Sequence, residues 1–226
     1  MICYTRLSIP TNAFNMQQEV SELSEQCPPH LNLLQHDGKW TELSLRSPGG
    51  KMDITSDVFE EPVYADTLLM HECPAIKALV ASLKCPVKSV KLLSLPVSAV
   101  SNSHHDNELA FERGGARLYF PIFTNPDVEF FVEDDMLPMK EGECWYINAG
   151  LAHHEANKGS TDRIHLVVDC VANEWLTGIF TDSERFCKID YNLKEQLSII
   201  NELRKQNTES SAEIANSLEH SLWLIS

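Results

Sequence analysis

The residues best suited to chemistry lie in two short polar segments in the second half of the chain. The first segment holds His104 and Asp106, and the second holds the neighbouring pair His153 and His154. Arg163 follows His153 by ten residues. Because side chains alternate between the two faces of an extended segment, His104 and Asp106 share one face. Two imidazoles and one carboxylate gathered in this way form a candidate site for a divalent metal.

Two histidines and one carboxylate can bind one face of a six-coordinate metal and leave the opposite face open. This arrangement favours non-haem Fe(II) and the chemistry of O2. If the cosubstrate is 2-oxoglutarate, its 2-oxo acid end chelates the iron, and its distal carboxylate requires a cation some distance away. Arg163 suits that task, because a guanidinium is permanently charged and can hold a carboxylate with two hydrogen bonds.

Spacing alone leaves other interpretations open. Many surface loops contain a His and an Asp separated by one residue, and the set could be structural. The same three ligands with a water molecule could hold Zn²⁺ and support the hydrolysis or isomerisation of a small molecule. A zinc site would leave Arg163 without an explained role.

The polar residues are embedded in sequence that predicts a mainly β fold. Residues 90–95 alternate as a strand should. Further β-rich runs, separated by Gly, Pro, Asn and Asp, span residues 116–123, 128–132, 144–148 and 163–170. Regularly spaced short strands with such turn residues predict a sandwich or barrel of the double-sheet jelly-roll type.

Apolar residues at helical spacing predict helices on both sides of this β-rich part. Before it, they occur over residues 15–26 and 75–83. After it, two apolar stripes are separated by a polar interruption, and they comprise Leu193, Leu197, Ile200 and Leu203, then Ile214, Leu218 and Leu222. We therefore expect one domain over residues 1–176 and a helical extension over 177–226, packed on the barrel or on a partner chain.

The composition argues against several classes of protein. The chain has 226 residues, with 33 acidic and 18 basic side chains and a formal net charge of −15. Nucleic acids and anionic membrane surfaces require clustered Lys and Arg, so we expect neither as a partner. No apolar stretch approaches the roughly 18 residues of a membrane span, and we expect no signal peptide. Seven cysteines without a CxxC pair predict reduced thiols and a cytoplasmic protein.

Long segments of the chain resemble a known family. They are HHDNELAFERGGARLYFPIFTNPDVEFFV at 104–132, MKEGECWYINAGLAHHEANKG at 139–159 and DRIHLVVDCVANEWL at 162–176. Residues 36–40, 45–50 and 73–96 share the likeness, so that it covers roughly residues 31–176. In these segments the chain is similar to the aspartyl/asparaginyl β-hydroxylase family of 2-oxoglutarate- and Fe(II)-dependent oxygenases.

The resemblance implies a cupin-like double-stranded β-helix with iron at one end of the barrel. Position by position, the family's iron ligands correspond to His104, Asp106 and His153. Arg163 corresponds to the arginine that binds the distal carboxylate of 2-oxoglutarate, and Arg117 to a second arginine near the cosubstrate. Tyr119 departs from the pattern, because many relatives have His there, but a tyrosine hydroxyl can still donate a hydrogen bond to a carboxylate.

The family spacing favours His153 over His154 as the distal iron ligand. His153 lies ten residues before Arg163 and four before Asn157, which we expect to fix the following loop by bonding nearby backbone. Neighbours on a strand face opposite sides, so only one of the two histidines can enter the barrel. One feature favours His154: if it points inward, the small Ala156 does so too and fits the core.

The resemblance implies a dioxygenase that uses Fe(II), 2-oxoglutarate and O2 to hydroxylate an amino acid, or an Asp- or Asn-type residue in a peptide. No catalytic side chain is expected beyond the metal centre. His165 shares the face of Arg163 and either lines the pocket or is hydrogen-bonded in the core. The alternatives are a zinc-dependent cupin-type hydrolase or isomerase, and a non-catalytic interaction protein with a vestigial metal site. The C-terminal helices could join two copies in a homo-oligomer.

Overall fold

The computed structural model describes residues 1–26, 35–36, 39–40, 42–52, 63–106, 109–183, 185–187 and 193–223. The strands in these ranges are β1 (Ile2–Leu7), β2 (Gln35–His36), β3 (Lys39–Trp40), β4 (Glu42–Pro48), β5 (Tyr64–Asp66), β6 (Val87–Leu95), β7 (Gly115–Phe123), β8 (Val128–Val132), β9 (Asp135–Met136), β10 (Cys144–Ile147), β11 (His153–Asn157), β12 (Arg163–Val171) and β13 (Arg185–Cys187). The α-helices are α1 (Ala13–Gln26), α2 (Leu68–His71), α3 (Pro74–Ser82), α4 (Glu174–Thr181), α5 (Leu193–Gln206) and α6 (Glu209–Trp223).

Backbone hydrogen bonds arrange the strands in two principal antiparallel sheets. The larger sheet has the order β13-β1-β10-β7-β12-β6-β4-β5, and the smaller has the order β11-β8-β9. Residues 99–104 run beside β11, where Asn157 N donates to the Ala99 carbonyl and Ser101 N to the Glu155 carbonyl, both at 2.9 Å. Strands β2 and β3 form a separate pair, and the turn predicted between them lies outside the described residues.

The two sheets face each other across the interior of a barrel. Alternation along β7 and β12 places Tyr119 and Val167 on this inner side, in one buried apolar cluster with Phe130 of β8. The opposite side of the larger sheet, with Leu118 and Val168, lies in a second core under helices α1, α3 and α4. This is the mainly β double-stranded β-helix with flanking helices that the sequence predicts, and the prediction is confirmed.

The predicted elements form with small shifts at their ends, and the apolar residues of the first helices face the core. Met16, Val20 and Ile76 are buried, and two helices form in the tail where the apolar stripes predict them. Strand β1 was not predicted, because five of its six residues are buried and it has no period-two alternation. A strand covered on both faces does not show the pattern of a half-exposed one.

The domain boundary predicted after residue 176 falls inside α4. Leu176 and Phe180 of this helix are fully buried in the core under the larger sheet, and the rings of Phe180 and Phe111 are 4.5 Å apart. Beyond α4, strand β13 pairs with β1. The body of the fold therefore extends to Cys187, and the extension consists of α5 and α6.

We expect Phe180→Ala to lower the free energy of unfolding by about 3–5 kcal/mol, the usual cost of emptying a buried aromatic position. Leu197→Ala is the control, because the Leu197 side chain on α5 is 46% exposed. Leu197→Ala should lower the free energy of unfolding by less than about 1 kcal/mol. Urea unfolding of both variants measures the difference, and equal losses would contradict the placement of α4 in the core.

Helices α5 and α6 pack against each other, with Ile200 and Ala215 buried. Leu197 and Ile214 remain about half exposed, at 46% and 51%. The apolar stripes are thus only partly covered within one chain, and a second copy as their cover stays a prediction. Among the helices of the described residues, none combines the length and the apolar character needed to cross a bilayer.

Candidate metal centre

Backbone pairing places the two candidate histidine ligands side by side. His104 N donates to the His153 carbonyl oxygen at 3.1 Å, and His153 N donates to the His104 carbonyl oxygen at 3.0 Å. Residues directly opposed in an antiparallel pair project to the same side, and the two ring centroids are 4.3 Å apart. The pairing thus brings His104, from the segment before β7, next to His153 on β11.

Asp106 completes the group on the same side. Its backbone N–H donates to the Ala149 carbonyl oxygen at 2.6 Å, just after β10. One ligand atom from each of His104, Asp106 and His153 lies within 4.8 Å of the others, and no other such group of three or more occurs in the described part of the chain. His104 is exposed, Asp106 half-buried and His153 buried, so the cluster lies at an open end of the barrel.

Both histidines direct one ring nitrogen to a backbone carbonyl. His104 Nδ1 lies 2.9 Å from the Asn102 oxygen, and His153 Nδ1 lies 3.0 Å from the Leu151 oxygen. Because a carbonyl only accepts, Nδ1 carries the proton in each neutral ring and Nε2 keeps its lone pair. Metal-binding imidazoles are fixed in this way, and the set of two Nε2 atoms and one carboxylate fits a divalent ion.

The protonation of His153 also suits a metal ligand. Burial lowers the pKa of its imidazole, and the nearby His104 acts in the same direction, while the hydrogen bond to Leu151 opposes them. The net shift is downward. A lowered pKa favours the neutral ring, which is the form that binds a metal.

His154 lies on the outer face of the smaller sheet. Its ring stacks on that of Phe131, with centroids 4.9 Å apart and an interplanar angle of 7°. The structure therefore brings His153, and not His154, into the cluster. Ala156 shares the outer face with His154 and is still buried, so its small size gives no reason to turn His154 inward.

Arg117 of β7 links the candidate ligand Asp106 to Asp169 of β12. Its Nη1 donates to Asp106 Oδ2, while Nε and Nη2 donate to Asp169 Oδ1 and Oδ2 at 2.7 and 3.0 Å. Burial by itself would lower the pKa of Arg117, but the hydrogen bonds and charge of Asp169 outweigh it, and the pKa is raised. These two carboxylates occupy the guanidinium, and its predicted contact with the cosubstrate stays a prediction.

Asp169 is a site residue that we did not predict from the sequence. It is 8% exposed, lies opposite Arg117 in the pairing of β7 and β12, and also accepts from Ser89 Oγ at 2.8 Å. A signal was present, because Asp169 interrupts the apolar run LVVDCV and a buried charge needs a partner. Asp169 holds Arg117, and Arg117 in turn holds Asp106.

Arg163 begins β12 and faces the barrel interior, where it is 2% exposed. Its guanidinium carbon lies 5.1 Å from the centre of the Phe130 ring, and that ring stacks on His153 at 6.3 Å. One aromatic ring therefore lies between the arginine and a candidate ligand. Burial lowers the pKa of Arg163 to about 9, with Tyr119 acting in the opposite direction, so the side chain is still cationic at neutral pH.

An inward-facing carboxylate already contacts Arg163. Glu155 Oε2 forms an ion pair with Arg163 Nη1. Glu155 lies opposite Phe130 in the pairing of β11 and β8 and shares the inner face with His153. We did not predict this pair, although the alternation that places His153 inward places Glu155 inward as well. A carboxylate ligand of Arg163 must share the guanidinium with Glu155 or displace it.

Two further polar side chains are buried beside Arg163. Tyr119 is 5% exposed, and its ring meets those of Phe130 and His165 edge-on at 5.5 and 5.9 Å. Burial raises the pKa of Tyr119 against the opposing charge of Arg117, so its hydroxyl keeps its proton. His165 Nδ1 lies 3.1 Å from Arg163 Nη2. The three predicted cosubstrate residues, Arg117, Tyr119 and Arg163, thus lie on one inner face of β7 and β12.

Asn157 fixes the loop that leads into β12. Its Nδ2 donates to the carbonyl oxygens of Leu95 and Thr161 at 3.0 and 2.9 Å, and its Oδ1 accepts from Gly159 N at 3.1 Å. This is the bonding to nearby backbone that the sequence predicts. It holds the position from which β12 begins at Arg163.

Two solved structures are distantly similar to this chain. The non-haem α-ketoglutarate-dependent epimerase SnoN from nogalamycin biosynthesis is 14% identical, with a TM-score of 0.47 over 76% of this chain and 78% of its own. The non-haem monooxygenase ThoJ, in its nickel complex, is 14% identical, with a TM-score of 0.46 over 76% of this chain and 74% of its own.

Similarity in sequence is more specific. L-proline cis-4-hydroxylase from Rhizobium meliloti (strain 1021) is 28% identical over 134 residues, which are 58% of this chain and 48% of that enzyme. The matched segment therefore spans about half the length of this relative. The sequence pattern of the aspartyl/asparaginyl β-hydroxylases matches residues 11–173, most of the chain, including all three candidate ligands. The protein belongs to the aspartyl/asparaginyl β-hydroxylase family.

Proposed function

We propose that the protein is a 2-oxoglutarate- and Fe(II)-dependent dioxygenase that hydroxylates an amino acid, or an Asp- or Asn-type residue in a peptide. The observation that carries the proposal is the cluster of His104, Asp106 and His153 at an open end of the barrel. Both imidazoles keep Nε2 free of a proton. Family membership and the similarity to an L-proline hydroxylase support the same chemistry.

Bound Fe(II), with 2-oxoglutarate and O2, would supply the hydroxylation of an unactivated C–H bond, while 2-oxoglutarate becomes succinate and CO2. The role of the protein is to hold and orient the reactants and to shield them from water. His104, Asp106 and His153 would hold the metal from one side and leave the other side for exogenous groups. Arg117 holds Asp106 through Oδ2, which would leave Oδ1 free for a metal.

Arg163 is the residue that we assign to the distal carboxylate of 2-oxoglutarate. It is buried and cationic, and the Phe130 ring contacts both its guanidinium and the ring of His153. Charge-assisted hydrogen bonds to a carboxylate are strong in such an interior. The zinc alternative leaves this buried arginine without an explained role, and this difference favours the oxygenase.

Anaerobic metal loading and a decarboxylation assay test the proposed function. The protein should bind Fe(II) stoichiometrically and convert 2-oxoglutarate to succinate faster when its substrate is present. Free amino acids, L-proline among them, and peptides with Asp or Asn are the substrates to compare. Zinc bound at the same site, with no succinate formed from 2-oxoglutarate by the iron-loaded protein, would refute the oxygenase and favour the hydrolase.

We expect Glu155→Gln to lower the KM for 2-oxoglutarate, because the neutral amide no longer competes for Arg163. A hydrogen bond to a charged group contributes about 1.5–3 kcal/mol. If part of this is regained, affinity should rise about three- to tenfold. The rate of succinate formation against 2-oxoglutarate concentration measures the change.

Glu129→Gln is the matched control for this experiment. Glu129 lies on the adjacent strand β8 and pairs with Lys158 at 2.7 Å, on the face opposite to the barrel interior. It should leave the KM unchanged. A higher KM in Glu155→Gln would show that Glu155 helps to bind the ligand and does not compete with it.

A further inference from the structure

Arg117 is a single cation that contacts two carboxylates at the metal end of the barrel. Its Nε and Nη2 donate side by side to the two oxygens of Asp169, at 2.7 and 3.0 Å. Its contact with Asp106 is made by Nη1 and by one oxygen, Oδ2. Asp169 therefore has the two-point contact that guanidinium and carboxylate groups favour, and the candidate ligand has a one-point contact.

Asp169 is held from both neighbouring strands. In the pairings of β12 it lies opposite Arg117 of β7 on one side and Ser89 of β6 on the other. Ser89 Oγ donates to Asp169 Oδ2 at 2.8 Å, so three donors fix a carboxylate that is 8% exposed. Asp106 lies outside the strands, and its side chain is 38% exposed. The sheet thus determines where the Arg117 guanidinium lies, and that guanidinium limits how Asp106 can turn.

The charges of these three side chains divide in a way that suits a metal ligand. Arg117 and Asp169 are neutral as a pair, so Asp106 keeps its negative charge for a divalent cation. Without Asp169, the charge of Arg117 would neutralise Asp106 and repel a metal ion beside it. A guanidinium released from Asp169 could also turn to bind both oxygens of Asp106. Both effects would weaken metal binding.

We propose that Asp169 is a positioning residue for the metal centre. It holds Arg117 by two donors and balances its charge, so that Arg117 steadies Asp106 through one oxygen and leaves the other for the metal. This inference rests on the metal centre of the proposed function, and it assigns a role to a residue outside the three candidate ligands.

Asp169→Asn keeps the size of the side chain and removes its charge. Anaerobic titration of the full-length protein with Fe(II) should show about 10- to 100-fold weaker binding to this variant, the usual cost of losing a group that supports a metal ligand. Asp127→Asn is the matched control, because Asp127 is exposed and its loss changes the net charge equally. It should bind Fe(II) as the unaltered protein does. Equal Fe(II) affinity of Asp169→Asn and the control would overturn the proposal.

A double variant separates positioning from a purely structural role. If Asp169→Asn acts by releasing the guanidinium, then adding Arg117→Gln should remove most of the harm. The double variant should bind Fe(II) about tenfold more tightly than Asp169→Asn alone, which is the scale of coupling between contacting residues. Thermal unfolding of the metal-free variants is measured in parallel. Stability that recovers in the double variant without any recovery of Fe(II) affinity would assign Asp169 to the fold alone and overturn the proposal.

A further measurement uses the unaltered protein and does not depend on the folding of a variant. With ¹⁵N-labelled arginine, the Nε–H of Arg117 should give a slowly exchanging resonance, because it is bonded to Asp169. The resonance is identified by its absence from Arg117→Lys. Diamagnetic Zn²⁺ in the site should leave this bond in place. A resonance lost to exchange with water when Zn²⁺ binds would show that Arg117 leaves Asp169, and the proposal would be wrong.

The metal titration also separates this inference from the proposed function. If the unaltered protein binds Fe(II) and forms succinate from 2-oxoglutarate, while Asp169→Asn binds Fe(II) equally well, only the role of Asp169 is overturned. If the unaltered protein binds no Fe(II), the proposed function fails, and this inference fails with it.

Discussion

Replacing His153 with alanine should weaken Fe(II) binding more than about 100-fold. Mutating a residue that only hydrogen-bonds to a metal ligand already lowers metal affinity roughly 10- to 100-fold, so the loss of a ligand itself should cost more. The change removes one of the three groups that lie within 4.8 Å of one another. His154 cannot take its place, since it stacks on Phe131 on the outer face. A one-residue shift of β11 would turn every side chain of the strand over. His154→Ala should therefore leave iron binding intact.

Anaerobic equilibration with Fe(II), followed by determination of iron per chain, measures both variants. Thermal unfolding of the metal-free proteins separates the loss of a ligand from the loss of the fold. If His153→Ala kept its iron and His154→Ala lost it, the side chains of β11 that face the barrel interior would be the alternate set, which includes His154. Glu155 and Asn157 would then have to be reassigned with it.

Arg163→Ala should raise the KM for 2-oxoglutarate roughly 30- to 100-fold and leave Fe(II) binding largely intact. The loss of a charge-assisted bidentate contact costs on the order of 2–3 kcal/mol, and each 1.4 kcal/mol is a factor of ten. Arg163→Lys keeps the charge without the planar pair of donors, so its effect should be intermediate. Among the described residues, Arg163 meets the candidate metal ligands only through the ring of Phe130, which contacts both Arg163 and His153. Replacing Arg163 should therefore affect the distal end of 2-oxoglutarate and not the metal.

Steady-state rates of succinate formation give the KM and kcat of each variant. Arg204→Ala is the control, because Arg204 is an exposed arginine that pairs with Glu219 between the tail helices. It should leave both constants unchanged. An Arg163→Ala variant with normal affinity for 2-oxoglutarate would remove Arg163 from the cosubstrate site, and its pair with Glu155 would then be structural.

Strands with one buried and one accessible side were predictable from the sequence. The runs at 116–123 and 163–170 became β7 and β12 with shifts of one residue. Their alternation also placed Arg163 and His165 together on the inner face. Strand β1 escaped prediction, because it is nearly all buried. The end of the domain was placed too early, because the strand signal fades after β12 while Phe180 still fills the core.

The candidate ligands were predictable because their pattern is local. His104 and Asp106 share a face of one short segment, and His153 precedes Arg163 by a fixed spacing. The resemblance to a family selected the same positions. Their partners were not predictable in this way. Arg117 was placed near the cosubstrate by resemblance, but its contacts with Asp106 and Asp169 depend on the pairing of β7 with β12.

The sequence by itself determined which residue types are present, which of them share a face and that they lie on strands. These properties follow from alternation within single extended segments. Only the tertiary structure decided that His104 lies opposite His153 and that Glu155 contacts Arg163. It also decided that His165 accepts from Arg163. The first two contacts join chain segments through the pairing and stacking of sheets, and the third depends on burial, which removes water as a competing partner. No single segment encodes either the pairing or the burial.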